Sequence, residues 1–279
     1  MTIASLDDYI AANKNTVLFT KPTTRPTQSW ERWGSLFDIA GTPDAGVLAT
    51  GNTVDGVVPD GSVTTGYIKV PQASGSSIHI SKITYGSRTY PVRICLYDKV
   101  FSCGAYSGAS TDTTLGTPPS FLSRMPNGNY IGTELWAEQV TNANTTFTCD
   151  VNYLDQDGNA GDTGGVGFTT PYASEWSRIP LAVGDNGISR ITRVRQNTCT
   201  GTFNFAILRP LWKGTVYWNE CNAWVGSQGN TAVFKVDGLL QTGLPKVYPT
   251  SALILMLGSL DTRYNSMCYP DVMIEFADK

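Results

Sequence analysis

The sequence predicts an all-β protein, a β-sandwich of jelly-roll form carrying short N-terminal helices and extended arms. Three observations carry this. The 279 residues include 28 Gly and only 15% charged residues, and Thr, Ser and Asn are plentiful while Glu, Lys and Gln are sparse. That balance favours short strands joined by tight turns over long helices. Several stretches alternate apolar and polar residues, and beyond residue 72 strand signals recur at roughly ten-residue intervals, the spacing of sandwiches and barrels. A chain of this length buries a sizeable core.

The elements follow in order. In SLDDYIAA, Ser5 caps a helix with Asp8 as the acidic partner of a capping box, and Leu6, Tyr9 and Ile10 share a face. Pro22 and Pro26 in VLFTKPTTRPT mark an extended arm. A second helix is expected over SWERWGSLFDIAG, capped by Ser29, with Trp30, Trp33, Phe37 and Ala40 at helical spacing and Gly41 and Pro43 ending it. Gly46 to Pro71 is rich in Gly, Thr, Val and Asp and reads as loops and edge strands. Residues 11–28 and 44–71 are thus arms that order on binding, for they offer little apolar area to offset the entropy of ordering. The expected organisation is an N-terminal region of helices and arm over 1–71 and a sandwich domain over 72–279.

Strands are expected at SSIHISKITYG, YPVRICLYDKVF, TELWAEQVT, TTFTCDVNYLD, GISRITRVRQ, GTFNFAILRPLW, TAVFKVDG and SALILMLGSL. Phe147, Cys149, Val151 and Tyr153 take one face of their strand and Thr148, Asp150 and Asn152 the other. SALILMLGSL does not alternate, so it is a central strand covered on both sides.

Charge and composition exclude several function classes. A net charge of -3 lacks the Lys and Arg surplus that nucleic-acid binding needs. The densest basic run, Arg190, Arg193 and Arg195, reads as a solvated strand face. No window of 18 apolar residues would cross a bilayer. The N-terminus MTIASLDDYIAANK carries acids where a signal peptide is basic, so folding is expected in the cytosol that makes the chain. In that reducing compartment Cys95, Cys103, Cys149, Cys199, Cys221 and Cys268 default to buried thiols, with Cys103, amid Ser and Gly in FSCGAYSGAS, the most exposed.

Candidate chemistry is thin. His79 is the one histidine, set in an alternating strand without a nucleophile elbow or a second ligand nearby. Glu134 and Glu138 flank Trp136 on one strand face, a poorer glycosidase pair than carboxylates facing across a cleft. Asp155, Asp157 and Asn159 match the first ligand positions of an EF-hand, but Ala160 and Val166 stand where Gly and Glu belong. Two readings of that loop remain, a hairpin turn and a cation site using Asp155, Asp157 and Asp162. GDTGGVGF lacks the Lys-Ser/Thr of a phosphate loop. Trp136, Trp176, Trp212, Trp218 and Trp224 are core or interface anchors, or a carbohydrate platform. No catalytic, cofactor-binding or metal residue is assigned, and no enzymatic activity is expected.

The order of motifs is informative. MTIASLDDYIAA and SLFDIAGTPDAG are followed by TTGYI, LYDKVF, LWAEQV, VNYLDQDGNAGDTG, RIPLAVGDNGISRI, FNFAILRPLW and YPTSALILMLG. Over nearly its full length the chain resembles a family of tailed-bacteriophage virion proteins found among head genes. The resemblance implies a capsid decoration (cement) protein on the virion surface, a homotrimer of jelly rolls whose partners are the major capsid protein and neighbouring copies of itself, with no nucleic acid and no membrane. The alternatives are a tail-associated receptor- or glycan-binding module and a polysaccharide hydrolase.

Overall fold

The computed structural model describes residues 3, 5–22, 33–72, 77–87, 92–168, 172–197, 199–216, 234–259 and 270–279. In chain order these hold α1 (Leu6–Ala11), β1 (Asn13–Thr20), β2 (Trp33–Ser35), β3 (Asn52–Val57), β4 (Ile78–Ser87), β5 (Val92–Ser107) and β6 (Ser110–Thr114). There follow β7 (Glu134–Thr141), β8 (Phe147–Asp155), β9 (Ala160–Asp162), β10 (Val166–Phe168), β11 (Glu175–Ile179), β12 (Ile188–Asn197) and β13 (Thr202–Val216). The last are β14 (Phe234–Asp237), α2 (Leu239–Thr242), β15 (Lys246–Val247), β16 (Leu253–Ser259) and β17 (Pro270–Asp278). The fold is all-β with a short N-terminal helix.

The chain forms two compact units. One comprises Met1–Gly46, Asp60–Tyr97 and Leu211–Lys279, the other Val47–Pro59 and Asp98–Pro210. This differs from the division expected at residue 71. The reason lies in β1, which pairs residue for residue with β17, from Asn13 opposite Asp278 to Thr20 opposite Asp271. Residues 13–20 are therefore a strand and not an arm. Val17 and Phe19 supply the β-branched and aromatic side chains such a strand needs, and Phe19 enters the core. Residues 23–28 of the expected arm lie outside the described residues.

In the first unit one sheet runs β1-β17-β4-β14, with β15 also pairing β4. Ile80, Ile83, Tyr85, Val272, Ile274 and Phe276 turn from it into a core shared with Ile94, Leu96, Trp212, Leu255 and Leu257. β16 pairs β2, and Leu253 to Leu257 are buried without a break, as the non-alternating run requires. The second expected helix is not found where it can be seen. Trp33–Ser35 is strand β2 and Leu36–Ala40 is loop and turn, while Ser29 and Trp30 lie outside the described residues. Pairing with β16 satisfies the Gly34 backbone that a helix would have weakened. The 44–71 arm is likewise ordered, since Tyr67, Ile68 and Val70 are buried and the Asn52 side chain accepts from the backbone N–H groups of Val54, Asp55 and Gly56.

The second unit has a sheet β10-β8-β12-β6 with β9 paired to β8. Cys149, Val151 and Tyr153 point inward as their alternation predicts. On β12 bulges near Ile188 and Ile191 keep Ile188, Ile191 and Val194 inward at three-residue spacing. Facing partners in this core are Phe101, Cys103, Leu135, Phe203, Phe205 and Ile207, with β7 hydrogen-bonded between β11 and β13.

Candidate functional site

The feature that most resembles a site is a surface. On the outer face of the first unit's sheet, Leu18 stands opposite Met273, Met273 opposite Thr84, and Thr84 opposite Val236. Alternation puts this row on the solvent side, because its chain neighbours Phe19, Val272, Ile274, Ile83 and Tyr85 point into the core. Leu18 is 44% exposed, Met273 40% and Val236 59%. The row crosses four strands, about 14 Å at the usual strand spacing. Polar rows bound it. On one side Glu275 pairs with Lys82 at 3.0 Å and accepts from the Tyr9 hydroxyl at 3.1 Å and the Ser81 hydroxyl at 2.8 Å. On the other, Thr20 donates to Asp271 at 3.2 Å. Burial raises the Glu275 carboxyl, but the bonds from Lys82, Ser81 and Tyr9 outweigh it and hold the group below its usual range. β1 forms one end of this sheet. At its far end Thr20 exchanges two backbone hydrogen bonds with Thr42.

Helix α1 lies beside this sheet. Ser5 and Asp8 cap one another's backbone N–H groups at 3.1 and 3.0 Å, as the capping box predicts. Tyr9 turns inward toward Glu275, whereas Leu6 and Ile10 remain 64% and 65% exposed.

In the second unit a cleft of about 610 Å³ is lined by Glu134, Arg178, Asp185 and Asn186 among others. Glu134 accepts from the Trp136 indole at 3.0 Å and pairs with Arg178 at 3.3 Å. Asp185 accepts from the Tyr153 hydroxyl at 2.5 Å.

Deeper in that unit Asp98, fully buried, pairs with both Arg124 and Arg209. Arg124 also donates to the Pro59 carbonyl at 2.6 Å. Sequence reading passed over this cluster. Its one signal is the pair of charges, Asp98 and Lys99, interrupting the longest apolar strand.

His79 is buried and paired opposite Lys246 and Ala277. Burial, and then the Lys246 charge, lower its pKa. Glu134 and Glu138 serve different partners, the first as above and the second Lys99 and Asn204. Trp136, Trp176 and Trp212 are 2%, 1% and 5% exposed, so these three present no platform to a sugar. Trp218 and Trp224 lie outside the described residues. Asp155 accepts from the backbone of Asp157 and Asn159, each at 2.8 Å, and from the Asn159 amide at 3.1 Å. Its oxygens thus close their own turn, while Asp162 accepts from Asn152 and Gly164. Residues 155–160 form the turn of the β8–β9 hairpin, and among the described residues no cluster of His, Cys, Asp and Glu is arranged to hold a metal. Arg193 and Arg195 face outward and pair with Asp112 and Asp150 on the neighbouring strands.

Cys103 departs from the expected exposed thiol. It is wholly buried, because β5 runs on through FSCGAYS instead of ending in a loop, and burial pushes its thiol up to about 12. Cys95, Cys149 and Cys199 are buried thiols as well, and Cys221 and Cys268 lie outside the described residues. Among the described residues no helix is long and apolar enough to cross a membrane.

No family model matches the sequence, and no curated protein matches it. Among solved structures the chain is similar to the VP2 subviral particle of infectious bursal disease virus, at 8% identity and a TM-score of 0.20, covering 96% of this chain and 80% of that one. It is similar too to the Gx strain of that virus, at 9% identity and a TM-score of 0.18 over the same shares.

Proposed function

We propose that the chain is a structural subunit of a tailed-phage particle, a capsid decoration protein that binds the head shell and neighbouring copies of itself without turning over a substrate. The observation that carries this reading is the row Leu18–Met273–Thr84–Val236, three exposed apolar side chains with one threonine among them, bounded on both sides by polar rows. An apolar centre with a polar rim is the anatomy of a protein–protein interface. The motif order quoted above supports the phage particle as its setting. Mass spectrometry of purified heads and tails, separated from one another, tests it. The chain is expected in the head fraction, lost from heads when Met273 and Val236 are both replaced by Lys. Recovery with tails alone would overturn the assignment.

The cleft of Glu134, Arg178, Asp185 and Asn186 favours a second reading, a tail-associated glycan-binding module. Carboxylate, guanidinium and amide groups converging on a concavity suit polyhydroxylated ligands. Binding on a glycan array that Arg178→Ala abolishes would favour it.

A further inference from the structure

Lys99 on β5, Glu138 on β7 and Asn204 on β13 meet inside the second unit, at 4%, 1% and 0% exposure. The Lys99 ammonium donates to Glu138 Oε2 at 2.9 Å, and the Asn204 side-chain N–H₂ donates to the same oxygen at 2.8 Å. Glu138 stands opposite Asn204 across one strand pairing and opposite Trp176 across the other. The Trp176 ring centre lies 5.1 Å from Lys99 Nζ. The Asn204 amide is fixed in orientation, since its nitrogen also donates to the Leu48 carbonyl at 2.7 Å and its oxygen accepts from the Thr50 N–H at 3.2 Å. Gly104, at φ 140°, lets β5 press against it, for a Cβ there would lie 2.5 Å from Asn204 Oδ1.

We propose that Lys99 and Asn204 become joined by an intramolecular amide bond, with Glu138 as the catalytic residue, so that β5 and β13 are covalently stapled. The nucleophile, the proton carrier and the oxyanion donor each have a group in place. Glu138 takes a proton from the Lys99 ammonium, and the neutral amine attacks Cγ of Asn204. The Thr50 N–H stabilises negative charge as it develops on Oδ1. Glu138 then returns its proton to Nδ2 and accepts one from Nζ as the Cγ–Nδ2 bond breaks. The products are an Nζ–Cγ amide and one ammonia, with Glu138 left protonated until ammonia carries that proton away. No oxidant or co-reactant enters. Burial keeps water from competing for the acyl carbon and strengthens the electrostatics of proton transfer. The inference does not rest on the virion reading, because the staple would form in the isolated chain.

Intact-mass measurement of the purified, folded protein tests it, and needs no variant. The expected mass is about 17 Da below that of the unlinked chain, the loss of one ammonia when a lysine amine acylates. Trypsin is then expected to leave Lys99 uncut and to yield a branched peptide joining residues 94–124 to 196–213. Glu138→Gln, checked for native circular dichroism, is expected at full mass with cleavage after Lys99 restored. A folded wild-type protein at full mass would overturn the proposal, leaving a buried ion pair. So would a deficit that maps to any other pair of residues, and a linked Glu138→Gln protein would overturn the role of the carboxylate.

Discussion

Asp98 shows what a single buried charge does in this protein. It has no exposure and faces two guanidinium groups, Arg124 at 4% side-chain exposure and Arg209 at 7%. Removing the carboxylate strands two cations in a low-dielectric interior, and breaking a buried pair in this way costs about 3–5 kcal/mol. Asp98→Ala is therefore expected to lower unfolding free energy by that amount in urea titration, and an unchanged midpoint would show the cluster is solvated. His79 works in the opposite sense. Burial favours its neutral form, so the folded state binds fewer protons than the unfolded state, whose imidazole titrates near the ordinary 6.5. This contribution is complete above that value and is lost as pH falls toward the lower folded one. Lys246, facing His79 from β15, reinforces the sign. His79→Phe is expected to flatten the fall in Tm between pH 7 and 5, measured by calorimetry. The thiols follow the same logic of burial. With the Cys103 and Cys149 thiols each pushed up to about 12, neither supplies thiolate at neutral pH. Iodoacetamide is expected to label them only after denaturation, as peptide mapping would show.

At the scale of elements, β1 illustrates how a segment that looks like an arm becomes part of the sheet. Phe19 is 4% exposed and Leu18 is 44%, the alternation of a strand covered on one face. Phe19→Ala is expected to cost about 3–5 kcal/mol as a buried aromatic truncated to a cavity, read from denaturant midpoints. Deleting residues 1–20 should unfold the first unit instead of merely releasing an anchor. The sequence signals here conflict, since Pro22 and Pro26 mark irregular chain while TVLFT carries strand propensity, and only the partner β17 decides between them. Where alternation was clean or burial two-sided, as at Cys149–Tyr153 and Leu253–Leu257, the sequence was sufficient. It failed at Trp33–Ser35, because aromatic spacing suggests a helix until the β16 backbone offers hydrogen bonds, and at Cys103, because Gly and Ser inside a long strand look like a turn. The candidate surface was illegible for a different reason. Leu18 lies most of the chain away from Val236 and Met273, and the three become one row only through register. The buried Lys99, Glu138 and Asn204 were equally remote from one another, although each sits in a segment, LYDKVF, LWAEQV or FNFAIL, already quoted for the family resemblance.

For the whole molecule, the role proposed above makes the outer row the contact between copies. Three apolar side chains and Thr84, held on hydrogen-bonded strands, present a preordered surface, so docking a partner costs little conformational entropy. The flanking Lys82–Glu275 and Thr20–Asp271 pairs supply a polar rim that limits which surfaces match. A homo-oligomer, expected to be a trimer, should therefore form at micromolar concentration by light scattering. Placing two lysines in the row, as Met273→Lys with Val236→Lys, would put charge at the centre of the contact, where desolvation is least compensated. Both positions are solvent-facing, so Tm should hardly move while the oligomer dissociates. A strict monomer in the wild type, alone and with phage heads, would remove the row as the contact, as would a double variant that assembles undiminished. Glu275 gives a second handle. Its carboxyl is held below the ordinary 4.5 by Lys82, Ser81 and Tyr9, so its contribution is present above that value and is lost as pH falls toward the lower folded one. Oligomer and fold should therefore both survive at pH 5, and acid dissociation should begin only below it.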